Sequence, residues 1–251
     1  MRLESGDLDR PFHIASIDKV MTATLVARLL EEGRLLFDSP LGDLLPRSVT
    51  DGLPAAPGFD VARDVTVEHL LTHTSGLPDI FLPPRGQTSE ASLRRVVATP
   101  DRRWTRAELL AAAHTMSAVG RPGERFHYSD TAYLLLGRVA EEVGGDAYAT
   151  LLQRYVFTPA GMTRTCVPFD DACDQARLDG LDIAPLWIRG SELSRRMALT
   201  LGWGGVVATA ADLVRFQQAL HGGRLVSPST SPTSRGDVTG CDPESTTAQA
   251  R

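Results

Sequence analysis

One helix-forming segment near the start of the chain constrains the fold most. Residues 17–32, IDKVMTATLVARLLEE, carry apolar side chains on nearly every face of a helix. A helix that is apolar all round has to be surrounded by other parts of the protein. Gly33 follows directly, and glycine commonly ends a helix. The sequence therefore predicts a buried central helix with several other elements packed around it.

Further segments have the periodicity and the capping residues of helices that can surround the central one. Residues 65–78 predict a capped helix that starts after Thr66. Residues 79–103, rich in Pro, Arg and Ser, predict a long surface excursion, and Thr105 with Glu108 then forms a capping box. The remaining helices are predicted over residues 130–143, with Asp130 as N-cap, over residues 147–157 and over residues 211–221.

The last residues of the chain differ in character from the rest. Residues 227–251 contain no Leu, Ile, Phe, Met, Tyr or Trp and are mostly Ser, Thr, Pro and Gly. Such a segment cannot bury enough apolar surface to offset the entropy lost on ordering. We therefore expect one domain over residues 1–226, followed by a disordered tail over residues 227–251.

Composition and charge exclude several classes of function. The chain has 251 residues and a formal net charge of −5, with acidic and basic residues mixed along it, so no basic stripe points to nucleic acid. No apolar run reaches the length of a membrane span, and the start has no signal-peptide core, so the chain as written is expected to be cytoplasmic. A periplasmic or secreted location is expected if an N-terminal signal has been lost. The three cysteines are expected to be free thiols, with a disulfide between Cys166 and Cys173 as the less favoured alternative.

Lys19 is the only lysine among the 26 basic residues of the chain. Arginine does not lose its proton in proteins, whereas a buried lysine can be deprotonated and act as a base. Ser16 lies three residues before Lys19, so the two side chains are neighbours on a helix. The helix N-terminus and the apolar surroundings both favour a neutral amine. An S-x-x-K match arises by chance on the order of one time in ten, but the lone lysine at the start of an apolar helix favours a lysine-activated serine nucleophile.

A metal site is the competing interpretation for two histidines. His69 and His73 are four residues apart and would share one face of a helix, as paired metal ligands do. No third ligand is apparent, and no Glu follows His69 as it does in metalloprotease motifs. We therefore expect no metal and no cofactor.

Four blocks of sequence carry a resemblance to a known family. They are FHIASIDKVMTATLVARLL, VTVEHLLTHTSGLPDI, PGERFHYSDTAYLLLGRVAEEVGG and GGVVATAADLVRFQQALHGGRL. In this order they resemble the serine β-lactamase-like family, which includes class C β-lactamases, D-Ala-D-Ala carboxypeptidases and family VIII carboxylesterases. The resemblance implies an α+β fold and an acyl-enzyme on Ser16, with Lys19 and Tyr128 as proton-transfer groups. It also implies a small-molecule or peptide substrate: a β-lactam, a D-Ala-D-Ala peptide or a small ester.

The sequence departs from the family pattern at three places. Asp130 stands where the family usually has Asn, so this substrate-binding position offers a carboxylate that either pairs with Lys19 or caps the following helix. No late Lys-Thr-Gly or His-x-Gly strand is found, and residues 238–240, Val-Thr-Gly, lie in the predicted tail. Only about a dozen residues precede the nucleophile block. The expectation is a chain truncated at both ends, mostly the helical region with much of the antiparallel sheet missing. A catalytically inactive remnant or ligand-binding pseudoenzyme is the alternative to an active hydrolase, and the oligomeric state is left open.

Overall fold

The structure is a computed structural model, and it describes residues 7–99, 102, 104–168, 183–184, 186–188, 191–193 and 205–230. Within these residues a short 3₁₀ turn (Ala15–Ile17) leads into a series of helices. They are α1 (Asp18–Glu31), α2 (Leu41–Leu44), α3 (Arg47–Thr50), α4 (Val61–Asp64), α5 (Val67–Leu71), α6 (Leu93–Ala98), α7 (Arg106–His114), α8 (Asp130–Gly144), α9 (Tyr148–Leu152), α10 (Thr158–Ala160) and α11 (Ala210–His221). A π-helical turn (Gln153–Phe157) joins α9 to α10 without a break.

Helix α1 lies at the centre of the core, as its sequence predicts. Most of its side chains are buried, and it packs against α8 and the α9 segment. Thr24 and Val26, on nearly opposite faces of the helix, are both completely buried. The helix ends just before Gly33, whose φ of 68° lies in the left-handed region that glycine adopts without strain. Burial on all sides fixes the position of the helix start, where Ser16 and Lys19 lie.

Helix α8 starts one residue after its N-cap, and the cap is Ser129 rather than Asp130. The Ser129 side chain accepts a hydrogen bond from the backbone N–H of Ala132 at 3.2 Å. Ser129 has extended backbone, as an N-cap requires, whereas Asp130 is already the first helical residue. The expectation that Asp130 caps this helix is therefore wrong. The Asp130 carboxylate is left to project from the first turn.

The strands among the described residues are short. Strand β1 (Phe12–His13) pairs antiparallel with β4 (Val207–Ala208), with Phe12 opposite Ala208, and β2 (Leu186–Ile188) pairs antiparallel with β3 (Ser191–Leu193). The Cys166 backbone extends the first pair through a bridge to Val207. Helices outweigh strands, and the fold is α+β, as the sequence predicts.

Several local expectations need adjustment. Helix α5 ends at Leu71, well before Gly76, and the excursion over residues 79–103 contains α6, whose Val96 is buried. Cys166 is disulfide-bonded, so the expectation of free thiols is wrong for this residue. Within the part of the chain that the structure describes, no helix is long and apolar enough to cross a membrane.

The predicted disordered tail falls mostly outside the described residues. Of residues 227–251, the structure describes only residues 227–230. The backbone N–H of Ser227 donates to Glu31 Oε1 at the end of α1, at 2.6 Å. The Val-Thr-Gly stretch at residues 238–240 lies outside the described residues, so its expected place in the tail stays a prediction. Disorder beyond residue 230 therefore stays a prediction.

Candidate active site

Ser16 is presented to solvent by a strained turn between β1 and α1. Ala15 has a φ of 48°, in the left-handed region that non-glycine residues rarely occupy. The backbone N–H of Ala15 donates to Nδ1 of the buried His13 at 3.1 Å, which stabilises this turn. Ser16 follows in the 3₁₀ turn and is exposed. The β1–β4 pairing on one side and α1 on the other therefore hold an accessible serine in a fixed place.

Tyr128 is the residue that contacts the Ser16 hydroxyl. The Tyr128 hydroxyl donates to Ser16 Oγ at 2.8 Å, although the two residues are far apart in sequence. Tyr128 precedes α8 by two residues, so the packing of α8 against α1 brings the phenol to the serine. An oxygen at this distance from a nucleophilic hydroxyl is within reach for direct proton transfer.

Lys19 pairs with Asp130 rather than with Ser16. Its Nζ atom lies 2.5 Å from Asp130 Oδ1, and both side chains are largely shielded from solvent. Nζ also lies 5.4 Å from the centre of the Tyr128 ring. Burial alone would lower the pKa of Lys19, but the carboxylates of Asp130 and Asp18 outweigh burial, and the pKa is raised above its ordinary value. The expectation of a neutral amine is therefore wrong, because Asp130 stabilises the ammonium form.

Asp18 is a second carboxyl beside the lysine. It is buried, its Oδ2 atom has no hydrogen-bond partner, and burial raises its pKa to about 8. A cavity of about 20 Å³ adjoins it and is also lined by Lys19 and Asp130. At neutral pH Asp18 is therefore mostly protonated, and Asp130 is the main counter-ion of Lys19.

The structure thus brings together all four residues that the sequence singled out: Ser16, Lys19, Tyr128 and Asp130. The two histidines of the metal hypothesis make different contacts. His69 Nδ1 accepts from the backbone N–H of Thr66 at the start of α5, and the region that the structure describes holds no group of three or more metal-ligating side chains.

Sequence reasoning missed the environment of the site. The sequence gives no sign that Asp18 belongs to the site, because an acidic residue in the first turn of a helix is ordinary. Only the tertiary packing buries its side chain. His73 was considered as a metal ligand, yet its ring stacks on the ring of Tyr128, with 4.5 Å between centres and 27° between planes. The THTSG stretch gives no local signal for a contact with a residue so far along the chain.

Comparisons with known proteins find relatives of this chain. The sequence profile of the beta-lactamase family, described as "Beta-lactamase", matches residues 6–246. Penicillin-binding protein 4 of Amycolatopsis lactamdurans is 31% identical over 93% of this chain and 58% of its own length. D-alanyl-D-alanine-carboxypeptidase/endopeptidase AmpH of Escherichia coli K12 is 30% identical over 84% of this chain and 49% of its own length. The chain therefore spans about half to three-fifths of these relatives.

Solved structures show the same fold. A D-stereospecific amidohydrolase from a Streptomyces species superposes with a TM-score of 0.70 at 26% identity, over 88% of this chain and 64% of that one. The penicillin-binding protein of Bacillus halodurans superposes with a TM-score of 0.65 at 28% identity, over 90% and 63%. Fold and sequence together place the chain in a class of α+β hydrolase-type proteins that includes penicillin-binding proteins and amidohydrolases. The chain belongs to the beta-lactamase family.

Proposed function

We propose that the protein is a serine hydrolase that forms an acyl-enzyme on Ser16. The observation that carries the proposal is the 2.8 Å hydrogen bond between the Tyr128 hydroxyl and the Oγ atom of an exposed serine. A nucleophile in contact with a proton-transfer group, with a fixed charge beside that group, is the arrangement that covalent catalysis requires. Lys19 supplies the charge, since its ammonium lies against the Tyr128 ring.

In the proposed acylation step, Ser16 Oγ attacks the substrate carbonyl carbon and its proton passes to the oxygen of Tyr128. The phenol gives up its own proton toward the leaving group as it takes this one, so Tyr128 is neutral before and after the step. The Lys19 ammonium stabilises the negative charge that develops on the reacting oxygens during this transfer. Lys19 acts through its charge in this scheme, which accords with the raised pKa that Asp130 maintains.

Collapse of the tetrahedral adduct breaks the bond from the carbonyl carbon to the leaving group. Tyr128 passes its proton to the leaving oxygen or nitrogen as this bond breaks, because the group that takes the Ser16 proton is also within reach of the leaving group. Hydrolysis of the acyl-enzyme repeats the steps with water as the nucleophile. The products are the free acid and the regenerated Ser16 hydroxyl.

The substrate belongs to the carboxylic acid derivatives: a β-lactam, a D-Ala-D-Ala type peptide or amide, or a small ester. Support comes from relatives whose names record these activities, including the lovastatin esterase of Penicillium rubens, which is 29% identical over 88% of this chain. Asp130 disfavours the members of this set that are bound through an acyl-amide side chain. Where the family usually has Asn, the carboxylate accepts hydrogen bonds and offers no amide donor to a substrate carbonyl.

Intact mass spectrometry tests the proposal. The purified protein is incubated with benzylpenicillin and, separately, with p-nitrophenyl acetate, and the mass is followed from seconds to hours. We expect an added acyl mass in the wild type that is absent in Ser16→Ala. Ser92→Ala is the matched control, because Ser92 caps α6 without a side-chain hydrogen bond and should leave the adduct unchanged. An adduct that persists in Ser16→Ala, or none with either probe in folded protein, would overturn the proposal.

A further inference from the structure

His73 contacts Tyr128 and both of its neighbours in the chain. Its backbone carbonyl accepts a hydrogen bond from the N–H of His127 at 2.7 Å, and its Nδ1 accepts one from the N–H of Ser129 at 3.1 Å. Its ring stacks on the ring of Tyr128 itself. The residues immediately before and after Tyr128 are therefore bonded to the same histidine that covers the face of its ring.

This histidine holds an unfavourable backbone conformation. Its φ of 56° lies in the left-handed region, two residues beyond the end of α5. Such a conformation costs free energy in a residue with a side chain, and it persists only where surrounding contacts enforce it. The same conformation turns the His73 carbonyl and ring toward residues 127–129, so the strained turn and the contacts with Tyr128 belong to one arrangement.

The ring is buried in a way that defines its chemical state. His73 is 9% exposed, and its ring also packs against Tyr133 and Phe126. Burial, and then the nearby Lys19 ammonium, lower the pKa of His73 to about 4, so the ring is neutral at physiological pH. Since Nδ1 accepts the Ser129 N–H, the proton of the neutral ring is on Nε2. The ring is thus an acceptor for Ser129 and a stacking surface for Tyr128.

We propose that His73 is the positioning residue of the active site, which fixes the height and tilt of the Tyr128 ring so that its hydroxyl meets Ser16 Oγ. This inference rests on the proposed function for its catalytic consequence. We call the contacts of His73 with residues 127–129 the His73 clamp. Without the clamp, Tyr128 keeps its place along the chain, but its ring is free to rotate away from Ser16. A misplacement of about 1 Å at a reacting group lowers rates by about a hundredfold.

Two substitutions distinguish the contribution of the stacking ring of His73 from that of its Nδ1 acceptor. His73→Asn suits a left-handed backbone and places an amide oxygen where Nδ1 lies, but it removes the stacking ring. His73→Phe keeps a stacking ring but loses the acceptor for Ser129. We expect His73→Asn to lower the rate of acylation of Ser16 by p-nitrophenyl acetate about tenfold to a hundredfold, with little change in KM. His69→Asn is the matched control, since His69 also accepts a backbone N–H but contacts Thr66.

A double-mutant cycle shows whether His73 acts through Tyr128. Acylation rates are measured by intact mass over minutes to days in the wild type, His73→Asn, Tyr128→Phe and the double variant. If His73 serves only to position the Tyr128 hydroxyl, His73→Asn changes the rate by less than about twofold in the Tyr128→Phe background. An equal loss in both backgrounds, or no loss in either, contradicts the proposal.

Hydrogen exchange tests the clamp without any activity. The Ser129 amide should exchange slowly in the wild type and in His73→Asn, and faster in His73→Phe, where the acceptor is gone. Unchanged exchange at Ser129 in His73→Phe overturns the clamp. If the wild type forms no adduct on Ser16, the proposed function fails, and exchange at Ser129 still decides whether His73 holds Tyr128.

Discussion

The ion pair between Lys19 and Asp130, 2.5 Å from Nζ to Oδ1, joins the first turns of α1 and α8. The carboxylate is at a helix N-terminus, where the macrodipole favours a negative charge. The ammonium has no such support and depends on the carboxylate for its charge. The protonation of Lys19 is therefore set by a residue on another helix.

Asp130→Asn should move the alkaline limb of activity to lower pH. The carboxylate raises the pKa of Lys19, so its removal lowers that pKa. If the ammonium is the active form, activity is present below the pKa of Lys19 and lost above it. The check is kcat/KM against pH for hydrolysis of a p-nitrophenyl ester, which reports the free enzyme. A gain of activity at high pH in the variant would instead identify neutral Lys19 as a base.

Lys19→Arg should abolish most of the activity, although it keeps the charge. A guanidinium is planar and spreads its charge over a fork of donors, whereas the lysine ammonium is a compact point charge between Asp130 and the Tyr128 ring. We expect kcat to fall by at least about a hundredfold. The reverse exchange on the same helix, Arg28→Lys at a half-buried pair with Glu31, should change kcat little. Wild-type kcat in Lys19→Arg would show that the shape of the cation does not matter.

Asp18→Asn should stabilise the protein at alkaline pH. Burial raises the pKa of Asp18 from its ordinary value of 3.8 to about 8 in the folded state. Between these values the folded state keeps a proton that the unfolded state releases, so stability falls as pH rises through this window. An amide cannot ionise and escapes this loss. We expect the melting temperature to exceed that of the wild type by about 5 °C at pH 8.5, with a smaller difference at pH 5.

The control for this measurement is Asp43→Asn, an exposed carboxyl at the start of α2. Its effect on the melting temperature should be similar at both pH values. If Asp18→Asn behaves like this control, the buried carboxyl is ionised in the folded protein.

Glu141→Gln should destabilise the fold without touching the active site. Both Glu141 carboxylate oxygens accept from Arg106 of α7, and Oε1 also accepts the Tyr148 backbone N–H at 3.1 Å. The Arg106 and Glu141 side chains are 10% and 15% exposed, so neutralising one leaves the other charge poorly solvated. We expect a loss of about 3–5 kcal/mol in the free energy of unfolding, measured with urea.

Glu142→Gln is the neighbouring comparison, because Glu142 pairs with Arg138 at a more exposed position. Its effect should stay within about 1 kcal/mol. If the two variants lose the same free energy of unfolding, burial of the Arg106–Glu141 pair does not make the fold depend more strongly on Glu141.

Local signals in the sequence predict much of the fold and part of the site. The apolar segment after Lys19 gives α1, and Thr105 with Glu108 gives the capped start of α7. These features depend on residues within a few positions of one another, which periodicity and capping describe. The prediction of Asp130 as the N-cap of α8 was wrong, because Ser129 beside it is also a capping residue type and only the folded backbone shows which of the two accepts the Ala132 N–H.

The rest of the site depends on distant pairings that leave no local trace. Tyr128 meets Ser16 only because α8 packs on α1. The neutral state expected for Lys19 was wrong for the same reason, since its counter-ion comes from another helix. A two-residue strand such as β1 is too short to show an alternating pattern, so its pairing with β4 was invisible as well.

That pairing sets the order in which the protein can assemble. Phe12 and His13 bind strand partners at Val207 and Ala208, near the other end of the described residues, while Ser16 follows only three residues behind. Contacts between such distant segments form slowly, since the intervening chain must be closed into a loop first. On the ribosome, the segment that carries the nucleophile waits for its strand partner until nearly all of the described chain has emerged. The segment that carries the nucleophile is thus among the last parts of the described chain to reach its final place.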